Sequence, residues 1–229
     1  MQTGFVEFDS PAGHGRGRTY LARPARAAGP LPVVLVVHEN RGLNPHIEDI
    51  ARRLALDDFI ALAPDALHPL GGYPGDEDRA GALFAKLDAP RTREDMVAAA
   101  GHARALPGGN GRLGAVGFSW GGGIVNLLAT RMPEMAAGVP FYCGPAPLDQ
   151  VGRIRAELLL MLAGTDERIN ATWPAYEAAL KSAGVVHQAY SYPGTQHVFN
   201  NDTTPRFDEQ AAALAWARTI ALFNRRLRG

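Results

Sequence analysis

Ser119 stands in the stretch AVGFSWGGG, residues 115–123, where a short apolar run gives way to glycines. The pentapeptide at residues 117–121 matches the pattern G-x-S-x-G, which places a nucleophilic serine on a sharp turn between a strand and a helix. Gly117 and Gly121 would let the backbone turn there without steric clashes. Because a simple tight turn gives the same letters, the pattern needs chemical partners elsewhere in the chain.

Two such partners follow along the chain. A serine hydroxyl needs a base to take its proton, and the base needs an acid to orient it. Asp166 comes just after the apolar run LLLMLAG, and His197 comes after the strand-like QAYSY. The order serine, acid, histidine is the one expected with a G-x-S-x-G nucleophile. We therefore predict Ser119 as nucleophile, His197 as base and Asp166 as acid.

Other interpretations of these positions stay open. Asp166 could instead cap a helix or end a turn, and Glu167 is a rival acid one residue further from the strand. His38 ends the first long strand beside Glu39 and competes with His197 as base. Only His197 fits the expected chain order, so we predict that His38 is structural.

The stretch VVHENRGLN, residues 36–44, follows that first long strand. A second oxyanion donor is expected at this place in the fold, and the backbone N–H groups of Asn40 and Trp120 are the candidates. Glu39 would then stand close to Ser119. Its alternative role is a buried carboxylate bound to the backbone or to Arg41.

Strand-like and helix-like segments alternate along the chain, which indicates an α/β fold with a mostly parallel central sheet flanked by helices on both faces. Active residues of such folds lie where strands end. A small antiparallel ribbon precedes the alternation. The predicted strands are 4–10, 18–24, 33–38, 59–64, 112–118, 136–143, 156–164 and 186–194. The first predicted helix follows Asn44, and further helices cover about 77–87, 92–106, 120–131 and 173–184. The last predicted helix begins at Thr204 and Pro205. Its core-facing residues are predicted to be Ala213, Trp216, Ile220, Phe223 and Leu227.

Composition limits the function classes. The 229 residues are predicted to form one domain, 1–229. Lys plus Arg equals Asp plus Glu at 23 each, so no basic surface for nucleic acid is indicated. The single cysteine, the lack of a secretory signal pattern and the short apolar runs predict a cytoplasmic protein that does not bind a membrane. No spacing indicates a metal or a nucleotide cofactor, and a monomer or a homodimer fits equally well.

Four motifs occur in order: HENRGLN, GFSWGGG, AGTDERIN and YPGTQHVF. Together they resemble the dienelactone hydrolase family of α/β-hydrolases, from about residue 18 to the C-terminus. The resemblance implies an eight-stranded sheet and hydrolysis of a small-molecule ester or lactone without a cofactor. By motif position it implies Ser119, Asp166 and His197 as the triad, with Glu39 as a carboxylate near the nucleophile.

One position departs from that resemblance, because the family usually has cysteine where this chain has Ser119. A nearby carboxylate can help to ionise a thiol, whereas a serine hydroxyl depends on its general base. Two interpretations follow. The chain is a serine hydrolase that works through an acyl-enzyme, or an inactive or cysteine-replaced hydrolase-fold protein that binds a small carboxylate with little turnover.

Substrate contacts are harder to predict. The family's substrate carries a carboxylate held by arginines, and Arg79 is the nearest positional match, with Arg41 and Arg168 as further candidates. Each of the three could equally be a surface or structural arginine. Several aromatic side chains could line a pocket or pack in the core: Tyr73, Trp120, Tyr142 and Phe199.

Overall fold

The computed structural model describes residues 1–228 as an α/β protein with a mostly parallel sheet of eight strands. The strands are β1 Gln2–Ser10, β2 Gly15–Arg23, β3 Leu31–Val37, β4 Ile60–Pro64, β5 Gly109–Phe118, β6 Met135–Phe141, β7 Glu157–Ala163 and β8 His187–Tyr192. The helices are α1 Pro45–Leu56, α2 Glu77–Phe84, α3 Ala89–Arg104, α4 Trp120–Arg131, α5 Glu167–Asn170, α6 Trp173–Ser182 and α7 Glu209–Leu227. Short 3-10 helices cover His68–Leu70 and Leu148–Arg153. The α/β class and the eight-stranded, mostly parallel sheet are therefore confirmed.

The chain forms two compact units, Met1–Leu113 and a second from Gly114 onward. Whether these act as the single predicted domain, 1–229, stays a prediction. In the first unit β1 pairs antiparallel with β2, β2 antiparallel with β4, and β3 parallel with β4. Helices α1 and α3 pack on these strands. The predicted ribbon before the parallel strands is confirmed.

In the second unit β6 pairs parallel with β7, and β7 parallel with β8. Helix α4 packs on β6, and α7 packs on β6 and β7. Because these strands are parallel, their carboxyl ends lie at one edge of the sheet. The segments that follow β6, β7 and β8 therefore meet at that edge, and the loops after β7 and β8 carry two of the three predicted catalytic residues.

Strands β3 and β7 are buried along all but their first residue, which explains their continuous apolar runs. The cap predicted at Asn44 is confirmed, because its side chain accepts a hydrogen bond from the N–H of Ile47 at 3.1 Å. Helix α3 starts earlier than the predicted residue 92. Asp88 accepts from the N–H of Arg91 and Pro90 occupies the first turn, a start signal that the sequence pattern also contains.

The predicted start of the last helix is wrong. Helix α7 begins at Glu209, where Asp208 accepts a hydrogen bond from the N–H of Ala211, and residues 204–207 form turns. The predicted core stripe is also partly wrong. Phe223 and Leu227 are buried, but Ala213 is exposed, and Trp216 and Ile220 are only half-buried. The buried face runs instead through Ala212, Ala215, Thr219, Leu222, Phe223 and Leu227. A helix rich in alanine gives almost no contrast between neighbouring faces.

Candidate active site

Ser119 sits on a strained turn between β5 and α4. Its backbone has φ 55° and ψ −112°, a conformation that non-glycine residues rarely adopt. A Cβ on Gly117 would lie 2.1 Å from the carbonyl oxygen of Gly121, so a larger residue at 117 does not fit. Ser119 occupies the N-cap position of α4, but its side chain makes no cap hydrogen bond. The hydroxyl is therefore available to a partner outside the helix.

That partner is His197. Ser119 Oγ lies 2.8 Å from His197 Nε2, and His197 Nδ1 lies 2.5 Å from Asp166 Oδ2. With Nδ1–H donating to Asp166, the Nε2 lone pair faces the serine hydroxyl and can accept its proton. The histidine side chain is 24% exposed and the aspartate 8%, so the aspartate is shielded while the imidazole stays accessible. The three side chains that the sequence singled out form one hydrogen-bonded row.

Asp166 fills both roles that the sequence left open. One carboxylate oxygen faces His197, and the other accepts from the N–H of Ile169 at 3.4 Å, which makes Asp166 the N-cap of α5. The cap helps to fix the carboxylate orientation toward the imidazole. Glu167, the rival acid, is exposed in the first turn of α5 and does not take this place.

Aromatic rings support the imidazole from the core side. The ring of Tyr142 lies 5.1 Å from that of His197 and 5.5 Å from that of Phe199. Tyr142 is 0% exposed and has φ 34°, and its N–H donates to the carbonyl of Met161 at 2.7 Å. The residue after the histidine, Val198, has φ 67°. Backbone strain thus recurs in the immediate surroundings of the triad.

His38 is structural, as predicted. Its side chain is 0% exposed, its Nε2 accepts the N–H of Ala66 at 3.1 Å, and its Nδ1 lies 2.5 Å from the carbonyl oxygen of Glu39. These partners require a proton on Nδ1 and none on Nε2. Burial lowers the pKa of His38, against smaller raising effects of backbone hydrogen bonds and Asp65. The neutral ring of His38 therefore joins the segment after β3 to the segment after β4 inside the first unit.

Glu39 is 7% exposed, whereas Asn40 is exposed. Arg41 Nη1 donates to the carbonyl oxygen of Asn40 at 3.2 Å and to its side-chain oxygen at 2.8 Å. Its guanidinium packs against α2, where a Cβ on Gly81 would lie 3.1 Å from Nη1. The roles of Glu39 beside the nucleophile and of the Asn40 and Trp120 N–H groups stay predictions. Trp120 is the first residue of α4, at the positive end of the helix dipole.

The remaining predicted substrate contacts fall into different settings. Tyr73 donates its hydroxyl to Glu77 Oε1 at 2.8 Å, and burial and this acid raise its pKa to about 12. Arg79 is exposed in the first turn of α2, and Arg168 is exposed in α5. Substrate binding by these residues stays a prediction.

Phe199 requires a correction. It was predicted either as a possible substrate contact or as core packing, and the structure favours the core. Its side chain is 0% exposed, and its ring centroid lies 5.0 Å from that of Tyr192 and 6.2 Å from that of Phe141. It belongs to the aromatic core below His197. Proximity to the histidine along the chain does not tell which side of the loop a side chain occupies.

Cys143, the one cysteine, does not take the nucleophile's place. It follows β6, and burial raises the pKa of its thiol to about 12. A thiol of that pKa is protonated at neutral pH and is a poor nucleophile. Residues 1–228 contain no cluster of three or more histidine, cysteine or acidic side chains arranged to hold a metal ion. Over the same residues, no helix is long and apolar enough to cross a membrane.

Sequence reasoning missed Thr195 and did not foresee the contact of Tyr142 with His197. Thr195 lies in the quoted motif YPGTQHVF, and Tyr142 is the penultimate residue of the predicted strand 136–143. For Thr195 a signal was present, since a small polar residue in a strand-end loop often bonds to nearby backbone. For Tyr142 none was, because an aromatic residue at a strand end is ordinary core sequence.

Comparison with known proteins identifies relatives along almost the whole chain. Residues 18–227 match the model of the dienelactone hydrolase family. A protein of Escherichia coli (strain K12), provisionally named carboxymethylenebutenolidase, is 33% identical over 219 residues, which cover 89% of this chain and 80% of the relative. The resemblance drawn from the four sequence motifs is confirmed.

Solved structures agree with this assignment. A protein of Klebsiella pneumoniae subsp. pneumoniae MGH 78578, provisionally named dienelactone hydrolase, superimposes with a TM-score of 0.84 at 30% identity, over 97% of this chain and 99% of that one. A dienelactone hydrolase-like promiscuous phosphotriesterase, P91, from metagenomic libraries gives a TM-score of 0.82 at 25% identity, over 99% and 100% of the two chains. The predicted α/β-hydrolase fold is confirmed.

Proposed function

Because the chain belongs to the dienelactone hydrolase family and is a carboxylic ester hydrolase, we propose that it cleaves esters or lactones through an acyl-enzyme on Ser119. One observation carries the proposal: Ser119 Oγ lies 2.8 Å from His197 Nε2, whose Nδ1 lies 2.5 Å from Asp166 Oδ2. A hydroxyl, a base and an orienting acid in one row are the minimum set for nucleophilic acyl transfer.

In the first half-reaction Ser119 Oγ attacks the substrate carbonyl carbon as His197 Nε2 takes the hydroxyl proton. The carbonyl electrons move to its oxygen, which the N–H groups of Asn40 and Trp120 are proposed to hold. Each such donor is worth about 3 kcal/mol of transition-state stabilisation. When the tetrahedral intermediate collapses, the bond to the leaving oxygen breaks. That oxygen takes the proton from His197.

In the second half-reaction a water molecule gives a proton to His197 Nε2 and attacks the acyl carbon. The bond from that carbon to Ser119 Oγ breaks, Ser119 recovers the proton, and the acid leaves. Asp166 stabilises the imidazolium in both halves without taking the proton itself. The proposed chemistry therefore uses side chains, backbone N–H groups and water.

The decisive experiment compares the parent chain with Ser119→Ala on 4-nitrophenyl acetate and on an enol-lactone. We expect a burst of nitrophenol with the parent, an added acetyl mass on the peptide that contains Ser119, and a loss of about 10³-fold or more in kcat for the variant. Equal rates for parent and variant would exclude Ser119 as the nucleophile.

Ser119→Cys decides between turnover and the alternative of a binding protein with little activity. If the chain is a serine hydrolase, kcat is expected to fall or to change little when sulfur replaces oxygen, because His197 lies at hydrogen-bonding distance from a hydroxyl oxygen. A rise of kcat by about 100-fold or more would instead show a site built for a thiolate, in keeping with the family's usual cysteine. Cytoplasmic location and a monomeric or homodimeric state remain proposals.

A further inference from the structure

Thr195 lies between the two loops that carry the acid and the base. It is 3% exposed and follows β8 by three residues. Its hydroxyl donates to the carbonyl of Tyr192 at 2.7 Å and accepts from the N–H of Gly164 at 3.1 Å. Its own carbonyl oxygen accepts from Thr165 twice, from the N–H at 2.9 Å and from the hydroxyl at 2.8 Å. One residue thus connects the loop after β7 to the loop after β8.

Close backbone approach strengthens this connection. The N–H of Gly164 also reaches the carbonyl of Tyr192 at 3.0 Å. A Cβ on Gly164 would lie 2.4 Å from that carbonyl oxygen and 3.0 Å from the Cα of Pro193, so only glycine allows the two backbones to come this near. We name the contact between residues 164–165 and 192–195 the loop junction.

The loop junction is adjacent in sequence to both triad members that it joins. Asp166 follows Thr165 directly, and His197 follows Thr195 by two residues. The surrounding positions Pro193, Gly194 and Gln196 are exposed and add no core packing that would hold the second loop. On the β8 side of His197 the loop is therefore held by the hydrogen bonds of the junction, while the buried Phe199 holds it on the other side.

We propose that Thr195 is a positioning residue, which keeps Asp166 and His197 within hydrogen-bonding distance by joining their two loops. The inference rests on the proposed triad and adds to it a residue that touches neither the substrate nor the reacting atoms. The Thr195 hydroxyl holds the N–H of Gly164 and the carbonyl of Tyr192 in place, and the Thr195 carbonyl oxygen holds Thr165 in place. Misplacing a catalytic group by about 1 Å can lower a rate by about 100-fold, so small movements of these loops matter.

The test uses substitutions that change the hydroxyl and little else. Thr195→Val removes the hydroxyl at constant shape, and Thr195→Ser restores it. Thr219→Val is the matched control, because Thr219 is 0% exposed, lies in α7, and also donates its hydroxyl to a backbone carbonyl, that of Ala215 at 2.9 Å. We expect kcat to fall at least fivefold in Thr195→Val with KM changed less than twofold. Thr195→Ser and Thr219→Val should stay within twofold of the parent.

A second measurement reports the position of the imidazole directly. In proton NMR at low temperature, the proton on His197 Nδ1 gives a far-downfield signal from its short bond to Asp166. We expect that signal to shift or broaden in Thr195→Val and to be unchanged in Thr219→Val. If Thr195→Val does not fold, Thr165→Val replaces it as the test variant. This substitution removes the hydrogen bond from the Thr165 hydroxyl to the Thr195 carbonyl, and the Thr165 side chain is exposed. It should lower kcat at least twofold.

The proposal is overturned if Thr195→Val keeps the kcat and the His197 signal of Thr219→Val, or if Thr165→Val, used in its place, keeps the parent kcat. Failure of the triad itself would look different, because Ser119→Ala and Asp166→Asn would then retain activity while the NMR signal still responded to Thr195→Val. The two inferences can therefore fail separately.

Discussion

Three non-glycine residues of the second unit have positive φ: Ser119 at 55°, Tyr142 at 34° and Val198 at 67°. One is the proposed nucleophile, one contacts the ring of His197, and one follows His197 in the chain. Such conformations cost about 1–3 kcal/mol each, and most of all for a β-branched residue such as valine. Tyr142 is fully buried and packs against the rings of His197 and Phe199, and this packing helps to hold its segment in the strained conformation.

Asp166 offers a sharp test of the triad. Asp166→Asn should reduce kcat by about 10³- to 10⁴-fold with KM nearly unchanged, because an amide cannot hold His197 with Nδ1–H donating and Nε2 free. The measurement is the steady-state rate on 4-nitrophenyl acetate. Glu167→Gln makes the same chemical change one residue further on, at an exposed position, and should keep at least half of the parent rate. Equal losses in both variants would refute an acid role specific to Asp166.

Cys143 predicts how the protein responds to thiol reagents. Because burial raises its pKa to about 12, the thiol is protonated at pH 7.5 and should not react with iodoacetamide within an hour. The parent is expected to keep its activity under this treatment and to show one reactive thiol only after unfolding. In Ser119→Cys the new thiol should be alkylated within minutes if His197 ionises it, as the added mass on the peptide that contains position 119 would show. Rapid inactivation of the parent, with the label on Cys143, would contradict the raised pKa of this thiol.

Helix α4 and strand β5 illustrate what local sequence determines. The apolar run before Ser119 and the glycines after it predicted a strand, a turn and a helix, and these elements form at Gly109–Phe118 and Trp120–Arg131. The start of α7 was not predictable in the same way. Thr204 and Pro205 carry a helix-start signal, yet Asp208 makes the cap. Two competing cap residues only four positions apart cannot be ranked without tertiary contacts.

The turn that presents Ser119 can be tested with two glycines. Gly117→Ala should destabilise the protein by about 2 kcal/mol or more, because its Cβ would meet the carbonyl oxygen of Gly121 at 2.1 Å and backbone cannot yield cheaply. Gly123→Ala is the matched control: it lies in α4 with no atom within 4 Å of an added Cβ. It should be stabilising by about 0.5–1 kcal/mol, since alanine favours helix. Urea unfolding midpoints measure both. Equal midpoints for the two variants would count against the proposed steric requirement.

Across the whole chain, the sequence predicted the features that depend on the order of residues, and it did not predict those that depend on contacts between loops. The order of Ser119, Asp166 and His197 along alternating strands placed all three at strand ends, and their side chains lie in one row. The role of Thr195 and the contact of Tyr142 with His197 were not predicted, because hydrogen bonds and ring contacts between segments distant in sequence leave no periodic pattern. The choice between pocket and core for Phe199 stayed open for the same reason.

His38 links the stability of the molecule to pH through contacts inside the first unit. It follows β3 directly, and its Nε2 accepts the N–H of Ala66, two residues after β4. Protonating Nε2 would break that bond and place a charge at a position that is 0% exposed. Burial therefore lowers the pKa of His38 below its ordinary value of 6.5. The unfolded chain binds a proton at a pH where the folded chain does not.

Stability should consequently fall as the pH decreases through 6.5, because protons then favour the unfolded state, and it should be fully present above that pH. Between pH 7.5 and 5.5 the loss of stability that His38 contributes is at most about 1.4 kcal/mol, the free energy that corresponds to one pKa unit. Urea unfolding of the parent, His38→Gln and His68→Gln at both pH values measures it. His38→Gln should be less stable than the parent at pH 7.5 but should lose less stability than the parent on acidification. His68→Gln, at a half-exposed position, should keep the pH dependence of the parent. If His38→Gln keeps the full acid-dependent loss of the parent, the histidine is not held neutral by the fold, and the proton linkage must come from other groups.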